Sequence, residues 1–416
     1  MLALLPVPKF VGVKKKLHGV LENRLIHACM DFVTAPLKVT AKNGAWMSDY
    51  AGYVRRCFTP LAAYIADTPE AATLTGVAGK TSHLTMASFH EFGDPFRHPP
   101  RMAADILTFL DILSHYSDPS DVKVYVANAR ELFRLNGVNL PFWRDWRLPD
   151  GSLPNPAHSF PIETLHHLHK GFWDHDVKWI IRAIGDRELD TRFSLLQPRN
   201  GYRHFSTGIS SLKQVTGREH RDIQRYILGL IADAVRPEFV ACIRALLDLR
   251  YLSQLHDVNT DVLNDIARAL EVFHGLKQII LDLGLRTGKK GNTIPHFEIP
   301  KLELLQSIIP SIMRSGSLPQ WSADVTGCLE KKLTISTTIH RFVVTLIAMK
   351  NVGTLTLRQQ STPQPMLMSL HPNRSLSLIE WPTPIGSSTL TIATATAWIG
   401  SQNSPKSPKP MGHLDQ

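Results

Sequence analysis

The stretch 161–179, PIETLHHLHKGFWDHDVKW, gathers Glu163, His166, His167, His169, Lys170, Asp174, His175 and Asp176 into a few turns of chain. Neutral imidazoles and carboxylates ligate divalent metals, and i, i+3 or i, i+4 spacing on a helix points them the same way. The same groups can move protons near neutral pH. Helical spacing puts Glu163, His167, Lys170 and Asp174 on one face, with Leu165, Leu168, Phe172 and Trp179 on another. Pro161 suits a first helical position, where its missing N–H costs nothing. Two readings of the polar face stand side by side. In one it is a metal or proton-transfer site, with His166 and His169 beside it. In the other it is a solvated face of ordinary helical pairs. HxxH is an unspecific pattern, and no HExxH is present.

Other chemistry is spread along the chain. The net charge is +10 over 416 residues, which favours an anionic partner, nucleic acid being the commonest large one. Arg218, Arg221 and Arg225 share a helical face and can meet phosphates, although Glu219 and Asp222 interleave them. The run 286–292, RTGKKGN, supplies Arg286, Lys289 and Lys290 on a flexible loop suited to phosphate contact, but GxxxxGK[ST] is missing. The four cysteines form no CxxC pair, so neither a zinc finger nor a disulfide framework is expected. No apolar run approaches eighteen residues, so no membrane span is expected. The start has its charge after a very short apolar run, the wrong order for a secretory signal, so the expected compartment is nuclear or cytoplasmic.

The elements that must hold these groups are mostly helical. Spacing predicts a long helix over 17–41 and a hairpin over 46–66, with Pro60 marking an edge or a break. A helix opens at Thr68, and Asp67 before it reads either as an N-cap or as a metal-binding acid at a strand end. Helices are predicted over 101–116, 120–134, 161–179, 238–255, 261–285 and 300–313, and one opens at Gly217. The stretch 186–205 reads as mixed and polar. The aromatics of 141–146, PFWRDW, either pin a loop to the core or stack on bases. The proline-rich 151–161 is a connector.

Many linked motifs carry a resemblance: LLPVPKF, RRCFTPLAAYIADTPEA, GDPFRHPP, PFWRDW, ETLHHLHKGFWDHDVKW, GISSLKQVTGREHRDIQRYI, IPKLELLQSIIP and QWSADVT. Together they resemble fungal Plavaka-type transposases, of the Kyakuja–Dileera–Zisupton group of cut-and-paste DNA transposases, over about residues 4–326. The resemblance implies a ribonuclease H-like core whose acids hold Mg²⁺ or Mn²⁺ for attack on DNA phosphate. It places the family's second core acid at Asp67 and a carboxylate at Glu163, with His166 and Lys170 beside it. The departures matter as well. The family's first acid sits upstream of the LPVPKF-like motif, close to Met1 here, so an incomplete core, with no bound metal, is the expectation. A cysteine pair and a late glutamate of relatives are also missing.

From about Gly327 the composition changes. Residues 333–416 hold only the acids Glu380 and Asp415 and are rich in Ser, Thr and Pro. Read two bases out of step, codons for 340–360 can encode a string resembling the segment after the QW motif in relatives, so a frame change before Ser336 is expected. The expected fold class is α/β with a predominantly α-helical body: an incomplete ribonuclease H-like part over 1–150, a helical body over 151–326 and an irregular, detached tail over 327–416. The expected function is that of a truncated, inactive, transposase-derived protein with DNA as partner and possible self-association. The alternatives are a non-catalytic DNA-binding or scaffold protein, and a metal-dependent hydrolase built on the His-rich helix.

Overall fold

The structure is a computed structural model that describes residues 8–213, 215–288, 290–323, 345–346 and 350–351. Helix α1 (Lys15–Asn43) buries Val20, Ile26, Met30 and Ala41 along one stripe. Gly44, at φ 70°, ends it. A Cβ there would be strained and would strike the Arg56 side chain at 2.9 Å, so glycine is required. The chain then turns into β1 (Ala45–Ser48), which pairs antiparallel with β2 (Val54–Phe58), Ala45 opposite Cys57 and Ser48 opposite Val54. The hairpin is therefore present, but its second arm stops at Phe58 instead of running to Ala66. Thr59-Pro60 interrupts it, because proline has no N–H for the ladder, and β3 (Ala63–Tyr64) follows as a separate strand.

Two short strands downstream join this sheet region. β4 (Thr345–Leu346) pairs antiparallel with β3, and β5 (Lys350–Asn351) with β2. These pairings depart from a fully detached tail. The rest of 324–416, including the region of the suggested frame change, lies outside the described residues.

Helices α2 (Thr68–Thr75), α3 (Ala103–Tyr116) and α4 (Val122–Phe133) pack with α1 around a first core cluster. The aromatic run belongs to it: Phe142, Trp143 and Trp146 are at most 1% exposed. Trp143 Nε1 donates to the Leu74 carbonyl and Trp146 Nε1 to the Thr59 carbonyl, both at 2.9 Å. These rings pin the loop, and a buried indole with its N–H satisfied is not offered to bases. After α5 (Pro156–Ser159), Phe160 still belongs to this cluster, whereas Ile162 belongs to a second one.

The second cluster is formed by a helix that starts at Thr164 and by α6 (Lys178–Ile184), α7 (Asp186–Ser194), α8 (Gly217–Ile231), α9 (Pro237–Ser253), α10 (Thr260–Leu276), α11 (Gln278–Asp282), α12 (Pro300–Leu305) and α13 (Ile308–Ser315). Three expectations need correction here. The first nine residues of the polar 186–205 are helical, because Leu189 and Phe193, one turn apart, are fully buried. The single helix expected over 261–285 breaks at Lys277, whose ammonium is drawn to the Gly93 carbonyl and to His274 Nδ1. The helix expected over 300–313 breaks at Gln306 and Ser307, where Gln306 Nε2 reaches His274 Nε2 at 2.9 Å and the Ser307 hydroxyl accepts from Arg97 Nε at 3.0 Å.

The loop between α2 and α3 is tied to the second cluster by Glu303. This buried carboxylate accepts from Ser82 Oγ at 2.7 Å and from Thr85 Oγ1. Burial raises its carboxyl above the ordinary value, and the two hydroxyls act against that. Arg101, 1% exposed, donates Nε to the Ser82 carbonyl at 3.0 Å. Burial pushes its guanidinium down to about 10.

Candidate functional site

The His-rich stretch is wound more loosely than expected. Residues Thr164–His169 and Phe172–Val177 form two π-helical turns, and the Lys170 N–H bonds back to the Leu165 carbonyl. Such turns hold one extra residue and re-aim side chains. They also shift the start. The helix begins at Thr164 and not at Pro161, with Glu163 as its N-cap. The shared face predicted for Glu163, His167, Lys170 and Asp174 therefore does not form. Glu163 is 0% exposed and His167 1%, while Lys170 stands in solvent.

Glu163 is a junction of hydrogen bonds. Its Oε2 accepts from Leu165 N at 2.8 Å and from Ala323 N at 3.2 Å. Its Oε1 accepts from His166 N and, at 2.8 Å, from His166 Nδ1. Burial alone would raise this carboxyl, but the donors around it, His166 foremost, hold it well below the usual carboxylate range. The Glu163 N–H donates to His167 Nδ1 at 3.2 Å. In the neutral ring that leaves the proton on Nε2, 3.2 Å from Thr68 Oγ1. Thr164 Oγ1 donates to Ser322 Oγ at 2.5 Å.

Three motif segments thus meet at one place: Asp67-Thr68, Glu163 to His167, and Ser322-Ala323. Asp67 caps α2, its Oδ1 accepting from Glu70 N at 2.8 Å. Its charge reaches His166. Burial works to lower His166, but the bond and charge of Glu163, with Asp67 adding, raise it above its ordinary value. Both acids singled out in the sequence therefore act on one imidazole. His83, buried, has its ring centroid 6.3 Å from that of His167.

The other candidates lie apart from this junction. Asp174 is held between Lys170 Nζ at 3.2 Å and Lys301 Nζ at 3.0 Å, and these cations keep its carboxyl low against the opposing effect of burial. His169 is buried 6.4 Å from His220, whose ring stacks on Trp173. Asp176, expected on the polar stretch, is 1% exposed and forms a two-bond pair with Arg250, at 2.5 Å and 3.3 Å. Arg218, Arg221 and Arg225 do come together, in a cleft of about 480 Å³ with Tyr202 and Asp222. There Arg225 binds Asp222 at 2.7 Å and Arg218 donates to the Gly201 carbonyl. Arg286 is half-buried, Lys290 is exposed and Lys289 lies outside the described residues.

Sequence reasoning missed His83, Glu303, Arg250 and Lys301. His83 stands alone in TSHLT, with no spacing to another ligand type. Glu303 and Lys301 sit inside IPKLELL, a motif recognised by likeness without a role for its charges.

Two of the three segments that meet at Glu163, Asp67-Thr68 and Glu163 to His167, lie within the span that a known family matches. The family model described as Plavaka transposase matches residues 1–180 of the 416, so that part of the chain is similar to Plavaka transposases. Neither curated proteins nor solved structures give a match. Among the described residues no helix is long and apolar enough to cross a membrane.

The buried histidines set a pH dependence. Burial pushes His27 down to about 4, and His83 and His220 down to about 3. The unfolded chain takes up these protons near pH 6.5, and the folded one refuses them until far lower pH. Stability should therefore fall from about pH 6.5 downward, by up to about 4 kcal/mol per pH unit from these three groups, and His158, His175 and His274, also lowered by burial, act in the same direction. His166 has the opposite sign, but its contribution changes only above its ordinary value near 6.5. Urea midpoints measured from pH 7.5 to 4.5 should decline steadily below 6.5. A flat profile between 6.5 and 5 would show that these rings are solvated.

Proposed function

We propose that this chain is a transposase-derived DNA-binding protein with a ribonuclease H-like N-terminal part, in which Glu163 joins motif segments instead of holding a metal. The observation that carries this reading is the filled coordination of Glu163. Both oxygens already take two N–H donors each, and the group has no exposed surface. A divalent ion there would have to displace backbone donors in the interior. Among the described residues Asp67 keeps one oxygen without a hydrogen bond, but a single carboxylate near a readily protonated imidazole is not the donor set of a two-metal centre. Among the described residues no group of three or more His, Cys, Asp or Glu is arranged to hold a metal. The residues do not fit the family's metal pair, and no phosphoryl-transfer step is assigned to them.

Three roles follow for the residues themselves. Asp67 caps α2 and, with Glu163, favours the charged form of His166. His167 bonds that helix end to the His-rich turns. Ser322 and Ala323 bring the QW segment onto the same junction. The full chain should bind duplex DNA, with affinity falling as salt rises, and should neither nick nor join strands with Mg²⁺ or Mn²⁺. Asp67→Ala should leave binding unchanged. Metal-dependent cleavage that disappears in Asp67→Ala would overturn the proposal. Stoichiometric Mn²⁺ or Zn²⁺ binding by calorimetry, lost on replacing His166 or His169, would favour a hydrolase built on the His-rich turns.

A further inference from the structure

We infer that Lys80, Arg130 and Arg134 form a phosphate pocket that seats the backbone of duplex DNA. The inference rests on the DNA-binding reading above and gives it a surface. The three cations line a cleft of about 670 Å³ together with Gly79, Thr81, Ser88 and His90. No acid lines it. None of the three cations is paired with a carboxylate among the described residues. Glu91 lies close enough for the charge of Arg134 to act on it, but its carboxylate binds the N–H and hydroxyl of Ser88, at 2.7 and 2.6 Å. The arginine cleft at Arg218, Arg221 and Arg225 differs in this respect, because Asp222 stands inside it and binds Arg225. An anion entering that second cleft must compete with a carboxylate. One entering the first meets uncompensated charge.

The first cleft is also held in place. Lys80 and Arg134, at φ 66° and 55°, are the non-glycine residues with positive φ among the described residues, and both stand in its wall. Residues with a Cβ rarely adopt that conformation, so the surrounding loops must impose it. Their loops are joined by the Ala78 N–H to the Arg134 carbonyl at 2.8 Å and by a bridge between Val77 and Leu135. Arg134 ends α4, where a cation also complements the helix dipole. The Lys80 ammonium sits 4.4 Å from the centroid of the Phe89 ring, which positions it without neutralising it. The guanidinium groups supply forked donors and the ammonium a point charge, a combination suited to phosphate oxygens.

The cleft is also near the motif junction. Three residues beyond Lys80, His83 lies against His167. A three-residue step spans at most about 11 Å. A duplex seated on Lys80 therefore runs close to the place where Asp67, Glu163 and the QW segment meet.

The test uses the full chain and a labelled 20-base-pair duplex in a salt series followed by fluorescence anisotropy. The first variant is Lys80→Gln, Arg130→Gln, Arg134→Asn, asparagine being tolerant of the left-handed conformation. It should weaken binding at least about tenfold at 150 mM salt, equally across sequences, and flatten the slope of log affinity against log salt by about 2.7, since three phosphate contacts are lost. The charge-keeping variant Lys80→Arg, Arg130→Lys, Arg134→Lys should retain the wild-type slope, which separates lost charge from lost fold. Arg218→Gln, Arg221→Gln, Arg225→Gln should flatten the slope by less than one. An unchanged slope in the first variant, against a wild-type chain that binds, overturns this inference alone. Flattening confined to the second cleft overturns it too. A wild-type chain that binds no duplex overturns the functional reading along with it.

Discussion

Asp176→Ala should cost about 3–5 kcal/mol of folding stability, the usual effect of stranding one partner of a buried ion pair. Asp176 and Arg250 are 1% and 3% exposed, and their side chains meet through two hydrogen bonds. Arg250 also donates Nε to the Leu168 carbonyl at 3.3 Å and lies 5.7 Å from the centroid of the Phe172 ring. It is therefore the tie between α9 and the two π-helical turns. Removing the carboxylate leaves a guanidinium that cannot shed its proton and has no water to turn to. The pair is nonetheless not a large net stabiliser. Burial raises the Asp176 carboxyl above its ordinary value even with Arg250 in contact, so desolvation outweighs the attraction. The double replacement Asp176→Leu, Arg250→Met should accordingly recover most of the loss and return within about 1–2 kcal/mol of wild type. Urea unfolding of the three proteins decides the matter. A single variant within 1 kcal/mol of wild type, or a double variant no better than the single, would mean that water reaches the pair.

Residues that interact with their near neighbours were legible in the sequence, and residues that interact across the chain were not. The Thr68-Pro69-Glu70 helix start, with Asp67 as cap, depends on four adjacent residues, and the structure has that cap. The capping box of Thr216 and Glu219 opens α8 where the charged run begins. The break at Pro60 depends on one missing N–H. The His-rich stretch was different. Periodicity of 3.6 assigns faces only if the turns are α-helical, and two π-helical turns change the angle per residue. Glu163, assigned to a polar face, became an N-cap inside the protein. Asp176 reads in sequence as one more acid in a charged run, and its partner lies 74 residues away. The cleft at Lys80, Arg130 and Arg134 joins a loop to a helix end some fifty residues later, and no local pattern brings those cations together. The likeness to Plavaka transposases pointed to the segments that meet at Glu163, but not to how the carboxylate is used there.

Glu163→Ala should destabilise the fold by about 3–5 kcal/mol and loosen the QW segment from the body. The carboxylate satisfies three backbone N–H groups, those of Leu165, His166 and Ala323, and the His166 ring. Each buried donor left unpaired costs on the order of 1–3 kcal/mol, and relaxation of the helix start recovers part of the sum. Glu163→Gln keeps the shape but turns one oxygen into an N–H₂ that faces N–H donors, so it should lose more than half as much. The charge also leaves a signature that packing alone cannot mimic. Glu163 is held below its ordinary value, so its contribution is present above about pH 4.3 and disappears as acid protonates it. His166 is held above its ordinary value, so its contribution is complete below about pH 6.5 and is lost as pH rises through the folded value. The pair is therefore strongest between those limits. In Glu163→Gln, burial, already the largest single influence on His166, loses the bond and charge that together outweigh it, and the imidazole should titrate below 6.5, where wild type titrates above. Proton NMR of the His166 ring reads that reversal directly, and hydrogen exchange at Ala323 reads the loosened segment. If His166 titrates alike in both proteins and Ala323 keeps its protection, Glu163 is not the junction described, and its oxygens must be free for some other ligand.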